Sequence, residues 1–135
     1  MSEHFGEREL RLLTVAEEVE IETQTGGPEA DKPQRAVVWV VVVGEDVYVR
    51  SVNGDQGHWY QHLAANPAGA LYADDRRLPI QAVPVQDTKL QLKVSEAYLR
   101  KYWQYPQDAA WMIAPTVLAT TLRLDPDLRG GAHQG

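Results

Sequence analysis

Cysteine is absent from the 135 residues. That removes disulfides, thiolate nucleophiles, iron–sulfur clusters and cysteine-bound zinc together, and it fits a reducing compartment. Positive charge is in deficit, with 13 Lys and Arg against 19 Asp and Glu and a formal net charge of -6. The broad basic footprint that binds nucleic-acid phosphates is therefore missing. The longest apolar run, Ala36 to Val43, falls far short of the roughly 20 residues a membrane helix needs. The start, Met1-Ser2-Glu3-His4, carries neither the apolar stretch of a signal peptide nor the arginines of a transit peptide. These absences predict a cytoplasmic protein with neither membrane nor nucleic acid among its partners.

Catalytic signatures are equally sparse. The serines are Ser2, Ser51 and Ser95, and none sits in a Gly-x-Ser-x-Gly elbow. His58 and His62 have the i, i+4 spacing of two metal ligands, but Trp59-Tyr60-Gln61 between them lacks the glutamate of a zinc protease. No metal site is expected. The pairs Glu17-Glu18 and Asp74-Asp75 read as solvated or turn carboxylates, because strand neighbours point to opposite faces.

The chain length suits one domain, expected over residues 1–126 with a flexible tail at 127–135. Leu10, Leu13 and Val15 among charges predict a helix within Phe5 to Ala16. Glu18 to Thr23 alternates charged and apolar residues, as a half-buried strand does. Thr25 to Pro33 collects glycine, proline and polar residues and reads as an exposed loop. Ala36 to Val43 reads as one strand buried on both faces. Gly44-Glu45-Asp46 turns it into a hairpin with Val47 to Val52. A short helix is expected from His58 to Asn66, then strands at Ala70 to Ala73 and Leu78 to Val85, the second at an edge or bulge because of Pro79 and Pro84. Asp87 caps a helix with the stripe Leu90, Val94, Ala97, Tyr98 and Tyr102, a second helical piece surrounds Ala109 to Ile113, and Thr116 to Leu124 reads as the last strand. Six strands with hairpin-like connections predict an α+β fold, a mostly antiparallel six-stranded split β-barrel with flanking helices.

Arg50 stands out, a charge closing an apolar strand just before Ser51-Val52-Asn53-Gly54 and a helix start near His58. Guanidinium, hydroxyl and free amides in that order can surround a phosphate. An ion pair between Arg50 and a carboxylate on the barrel surface explains the residue type equally well. Arg35 and Lys32 are further candidate cations. The aromatic residues are 4 Trp and 6 Tyr against 1 Phe, a choice suited to an interface or cleft wall, although core packing accounts for most of them.

Arg35 to Gly44, Val47 to Gly54 and His58-Trp59-Tyr60 together resemble bacterial proteins grouped as a domain of unknown function in the FMN-binding split-barrel (pyridoxamine 5'-phosphate oxidase-like) superfamily. The order strand, strand, Trp-Tyr helix and Asn66-Pro67 is also similar to the deazaflavin-dependent nitroreductases of that superfamily. Ala119 to Leu124 is similar to its final strand, so the resemblance spans residues 15 to 126. It implies a split barrel, commonly a homodimer with flavin at the interface. By the same resemblance Arg35, Arg50 and Ser51 fall where relatives contact the cofactor phosphate, and His58, Trp59 and Tyr60 lie beside the cofactor cleft. No catalytic residue is assigned.

One departure bears on the cofactor. The basic-glycine loop of the deazaflavin enzymes is replaced here by Thr25 to Pro33, with two acids and one lysine, so FMN is expected ahead of a polyanionic deazaflavin. The resemblance thus implies an FMN-binding, oxidoreductase-like homodimer of unknown substrate. The alternative is a cofactor-free split-barrel binding or interaction module whose cleft is plugged by its own Trp and Tyr. Haem ligated by His58, His62 or His133 is a third reading.

Overall fold

In the computed structural model the described residues are 4–24 and 32–127. Residues 25–31 of the expected loop, and His133 with the tail from residue 128, lie outside them. Helix α1, Glu7–Val15, places Leu13 fully inside while its charged residues stay out. It leads into β1, Val19–Thr23.

The apolar run does not form one strand. It divides at Trp39 into β2, Gln34–Val38, and β3, Val40–Val43. Adding β4 (Asp46–Val49), β5 (Ala68–Ala73), β6 (Arg76–Pro84) and β7 (Leu122–Pro126) gives an antiparallel sheet in the order β2-β1-β5-β6-β7-β4-β3. The two edge strands are consecutive in the chain. The sheet must therefore curl until its edges meet at Trp39, which makes a split barrel of six strands, one kinked and counted twice. Register pins each side chain to one face: Val19, Ile21, Leu71, Ile80 and Leu124 fill the interior, and the outer row runs Val37, Glu20, Tyr72, Arg77.

Burial on both faces holds only for the second half of the run. Val40 packs inside the barrel, while Val41 and Tyr48 pack outside against α3, Thr88–Lys101, through Val94, Tyr98 and Tyr102. In β2 no helix covers the outer face, and Val37 stays 57% exposed. Where the edges part, the Tyr98 hydroxyl joins them. It donates to Trp39 O at 2.6 Å and accepts from Arg50 N–H at 3.1 Å, taking over the ladder bonds that the kink removes.

Two further expectations are corrected. The strand carrying Pro79 and Pro84 is central, between β5 and β7. It tolerates both because Pro84 ends β6, and Pro79 faces Asp127, beyond the last residue of β7, whose N–H it accepts at 2.9 Å. Asp127 is thereby tied to the barrel rather than opening a tail. Thr116 to Leu124 is a strand only from Leu122. Pro115 at N1 starts a helical turn, α5, Pro115–Leu118, and the hydroxyls of Thr120 and Thr121 fold back onto Val117 O and Leu118 O at 2.6 and 2.7 Å. The remaining helices are α2, His58–Ala65, and α4, Pro106–Trp111. Asp74 and Asp75, both with positive φ, make the β5–β6 turn.

Candidate functional site

A cleft of about 570 Å³ opens between the barrel rim and α2. Thr23, Gln34, Arg35 and Ala36 line it from β1 and β2. Asn53, Gln56, Gly57, His58, Trp59 and His62 line it from the loop after β4 and from α2. None of these is a carboxylate.

Local sequence builds the far wall. Gly54, at φ 65, starts a 3-10 turn with Asp55 and Gln56. Gln61 Nε2 ties that turn to α2 by donating to Asp55 O at 3.0 Å. Gly57 precedes α2 with no side-chain cap, and Gln61 N–H, at 3.0 Å from Gly57 O, is the first amide of the helix to reach a carbonyl behind it. The amides before it point out of the helix start, beside the cleft, where an anion is stabilised. His62 Nδ1 is hydrogen-bonded to Thr23 Oγ1 at 2.9 Å, which fixes its ring.

Arg35 stands between the cleft and the outer face, lining hollows on both. Its guanidinium carbon lies 3.5 Å from the centre of the Tyr72 ring and its Nη1 donates to Glu20 Oε1 at 3.1 Å. The Tyr72 side chain first, then the carboxylates of Glu20 and Glu22, hold its pKa above the usual arginine value. Beside it, burial pushes the Glu22 carboxyl up, but Arg77 at 3.0 Å and the Tyr72 hydroxyl at 2.8 Å outweigh that and leave its pKa lowered. Glu22 is thus held ionised on the outer face, as the cross-strand neighbour of Arg35.

Arg50 does something else. It is 1% exposed, and all its side-chain nitrogens donate inward. Nε reaches Thr121 Oγ1 at 2.8 Å, Nη1 reaches Ser95 Oγ and Met112 O, and Nη2 reaches Gln91 O and Gln91 Oε1 at 3.0 and 2.8 Å. A guanidinium has five N–H groups, so none is left for a phosphate. Its acceptors are neutral, and burial lowers its pKa to about 10. This corrects both sequence readings, the phosphate ligand and the surface ion pair.

Ser51 is also withdrawn, with its amide donating to Thr120 Oγ1 at 2.9 Å. A Cβ at Gly57 would collide with its hydroxyl, so it sits beneath the glycine and outside the cleft. Tyr60 leans edge-on to Trp59 and packs against the barrel core. Of the six expected site residues the cleft brings together Arg35, His58 and Trp59, while Arg50, Ser51 and Tyr60 stand behind it. Sequence reasoning passed over Thr23, Gln34, Gln56 and Gly57 as neutral loop or strand-end residues. His62 was visible as the partner of His58 and as a candidate haem ligand.

Trp59 also belongs to a second hollow of about 260 Å³, where Trp39 and Trp111 join it. Trp39 is held flat against Tyr102, ring centres 3.8 Å apart and planes 2° from parallel. The chain thus sets a polar cleft, with no carboxylate among its described lining residues, beside an aromatic hollow, with the Trp59 indole lining both.

Comparison with known proteins bears on the family and the fold. The family described as "Uncharacterized protein conserved in bacteria (DUF2255)" matches residues 9–124. No match to a curated protein is found. Among solved structures, a candidate pyridoxamine 5'-phosphate oxidase from Listeria innocua is similar at 15% identity, TM-score 0.63, over 89% of this chain and 91% of that one. The heme storage protein HutZ from Vibrio cholerae is similar at 13% identity, TM-score 0.62, over 90% and 89%. An F420-H2 dependent reductase is similar at 16% identity, TM-score 0.59, over 81% and 94%. At these identities the likeness establishes the shared split-barrel fold.

Proposed function

The chain belongs to the DUF2255 family, and from that premise we propose that it binds a flavin-type cofactor, FMN, in the cleft beside α2 and acts as an oxidoreductase. The observation that carries the reading is the lining of that cleft. Arg35, His58, the side-chain amides of Gln34, Asn53 and Gln56, and the uncapped start of α2 stand along the cleft with no carboxylate among its described lining residues, Arg35 keeping one bond to Glu20 on the outer face, a donor set that suits a phosphate. Trp59 at the other end offers a flat apolar surface for a ring. The fold is shared with an oxidase candidate and an F420-H2 dependent reductase, which supports redox chemistry on a ring cofactor. One guanidinium among the described lining residues, partly offset by Glu20, favours one phosphate over a polyanionic tail.

When bound, the flavin supplies the hydride chemistry. The chain's own part is to hold the phosphate through Arg35 and the α2 amides and to orient the ring against Trp59. The cleft is open on one side, and a second copy of the chain closing it, as a homodimer in the cytoplasm, completes the proposal.

The visible spectrum of the purified protein with added FMN tests this. A perturbed flavin band is expected, with affinity falling roughly tenfold in Arg35→Ala through loss of a charge-assisted bond, while the unfolding midpoint stays put. Spectra unchanged by FMN and by a deazaflavin, with calorimetry silent, would leave the cofactor-free module. A Soret band on adding haem would move the reading to the chemistry of the heme storage relative. Sedimentation at equilibrium reads the homodimer, and a monomer overturns that part.

A further inference from the structure

The aromatic hollow differs from the cleft in shape and in charge. Trp39, Trp59 and Trp111 line it together with Val37, Glu18 and Asp108. Both carboxylates are exposed and neither has an ion-pair partner among the described residues. Glu17 stands next to Glu18, with its Oε1 accepting from the Tyr105 hydroxyl at 3.2 Å, and the two carboxylates raise the Tyr105 pKa. Three carboxylates, Glu17, Glu18 and Asp108, thus stand at the corner that holds the three indoles.

Two cations border it, and neither fills it. Arg50 forms part of the wall; every one of its N–H groups is committed inside the protein, so it offers none to a ligand, but its acceptors are neutral and its positive charge remains for the carboxylates to outweigh. Lys101 feels the Glu17 charge, yet its Nζ is turned away, donating to Leu13 O and Val40 O at 2.9 and 2.6 Å.

We propose that this hollow, formed by Trp39, Trp59 and Trp111 with Glu18 and Asp108, binds a small organic cation, an alkyl- or arylammonium group. Indole faces attract a cation through their negative quadrupole, most strongly for ions with weak hydration such as quaternary ammonium. The two lining carboxylates add Coulomb attraction and discriminate against anions. A hollow of about 260 Å³ admits a group the size of trimethylammonium with a short substituent. Binding of the cation stands on these residues alone. Its role as the substrate pocket rests on the cofactor reading above, because Trp59 is the wall shared with the cleft.

The four indole N–H resonances report on the site directly, since Trp103 does not line it. Titration with choline and with its neutral carbon isostere, 3,3-dimethylbutan-1-ol, is followed by heteronuclear NMR, with and without FMN. The expected result is saturable movement of the Trp39, Trp59 and Trp111 signals by choline, none of Trp103, and weaker binding of the neutral alcohol. Glu18→Gln with Asp108→Asn, both on the surface, weakens choline roughly tenfold and leaves the alcohol unchanged. Equal binding of the two probes, or no movement of the three indoles, overturns the proposal. Choline binding by a chain that ignores FMN keeps the cation site and removes its role as a flavoenzyme's substrate pocket. FMN binding without choline binding does the reverse.

Discussion

Arg50 shows how one residue type can serve two opposite purposes. In the sequence a cation before a glycine-containing loop reads as a ligand for phosphate, and nothing local contradicts that. The contradiction comes from residues 41 to 71 positions away, Gln91, Ser95, Met112 and Thr121, whose oxygens surround the guanidinium. The cation stitches β4 to α3 and to the segments flanking α5. Arg50→Met, which keeps the stem and removes the fork, should cost about 3 kcal/mol in urea unfolding, because several buried acceptors lose a charged donor at once. Arg50→Lys should recover only part of that, since an ammonium cannot span the same acceptors. In either variant the folded fraction should bind FMN as the parent does. Normal stability with lost FMN affinity would restore Arg50 as a phosphate ligand. The lining of the candidate cleft was legible where a residue's exposure follows from its own strand, as at Arg35, or from a helix start, as at His58 and Trp59. It was not legible at Arg50 and Ser51, whose direction is set by distant partners.

Among the elements, the kink at Trp39 governs the fold. Eight residues of continuous β-propensity give no local sign of a break, so Ala36 to Val43 reads as one strand. Tertiary structure divides it because a barrel this small needs one strand to serve both edges of the sheet. The helices were more legible, since α1, α2 and α3 each carry an apolar stripe whose period is local, and α3 has its Asp87 cap donated to by Lys89 N–H at 3.2 Å. Pro79 and Pro84 misled in the other direction, because a missing donor is tolerated in a central strand wherever the neighbouring ladder has ended. The Tyr98 hydroxyl, fully buried between the parted strands, is the device that makes the kink tolerable. Tyr98→Phe leaves Trp39 O and Arg50 N–H without that partner and should destabilise the protein by about 2 kcal/mol. Amide exchange at Arg50 should accelerate more than at the centre of β6; uniform change across the sheet would show that the hydroxyl has no special role at the split.

For the whole molecule, the buried titratable groups set an alkaline stability profile. Lys101 lies between α1, β3 and α3, and burial lowers its pKa to about 8, opposed only in part by Glu17. As a neutral amine it retains two N–H groups, matching its two acceptors, Leu13 O and Val40 O. Between about 8 and its ordinary 10.5 the unfolded chain holds a proton that the folded chain has released. Stability therefore rises with pH through that window. Tyr48, Tyr98 and Tyr102 act in the opposite sense, because burial raises each phenol above its ordinary 10.0. Above that value the unfolded chain ionises while the folded chain keeps its protons; Arg50, lowered to about 10 from 12.5, opposes this as one group against three, so stability falls. The two effects place the alkaline maximum between the folded value of Lys101 and the ordinary value of tyrosine. Urea midpoints measured at intervals across this range should climb and then drop in the parent protein. In Lys101→Met the climb should vanish while the drop remains, because the tyrosines are untouched. A climb that survives the substitution would mean that the proton released on folding comes from another group.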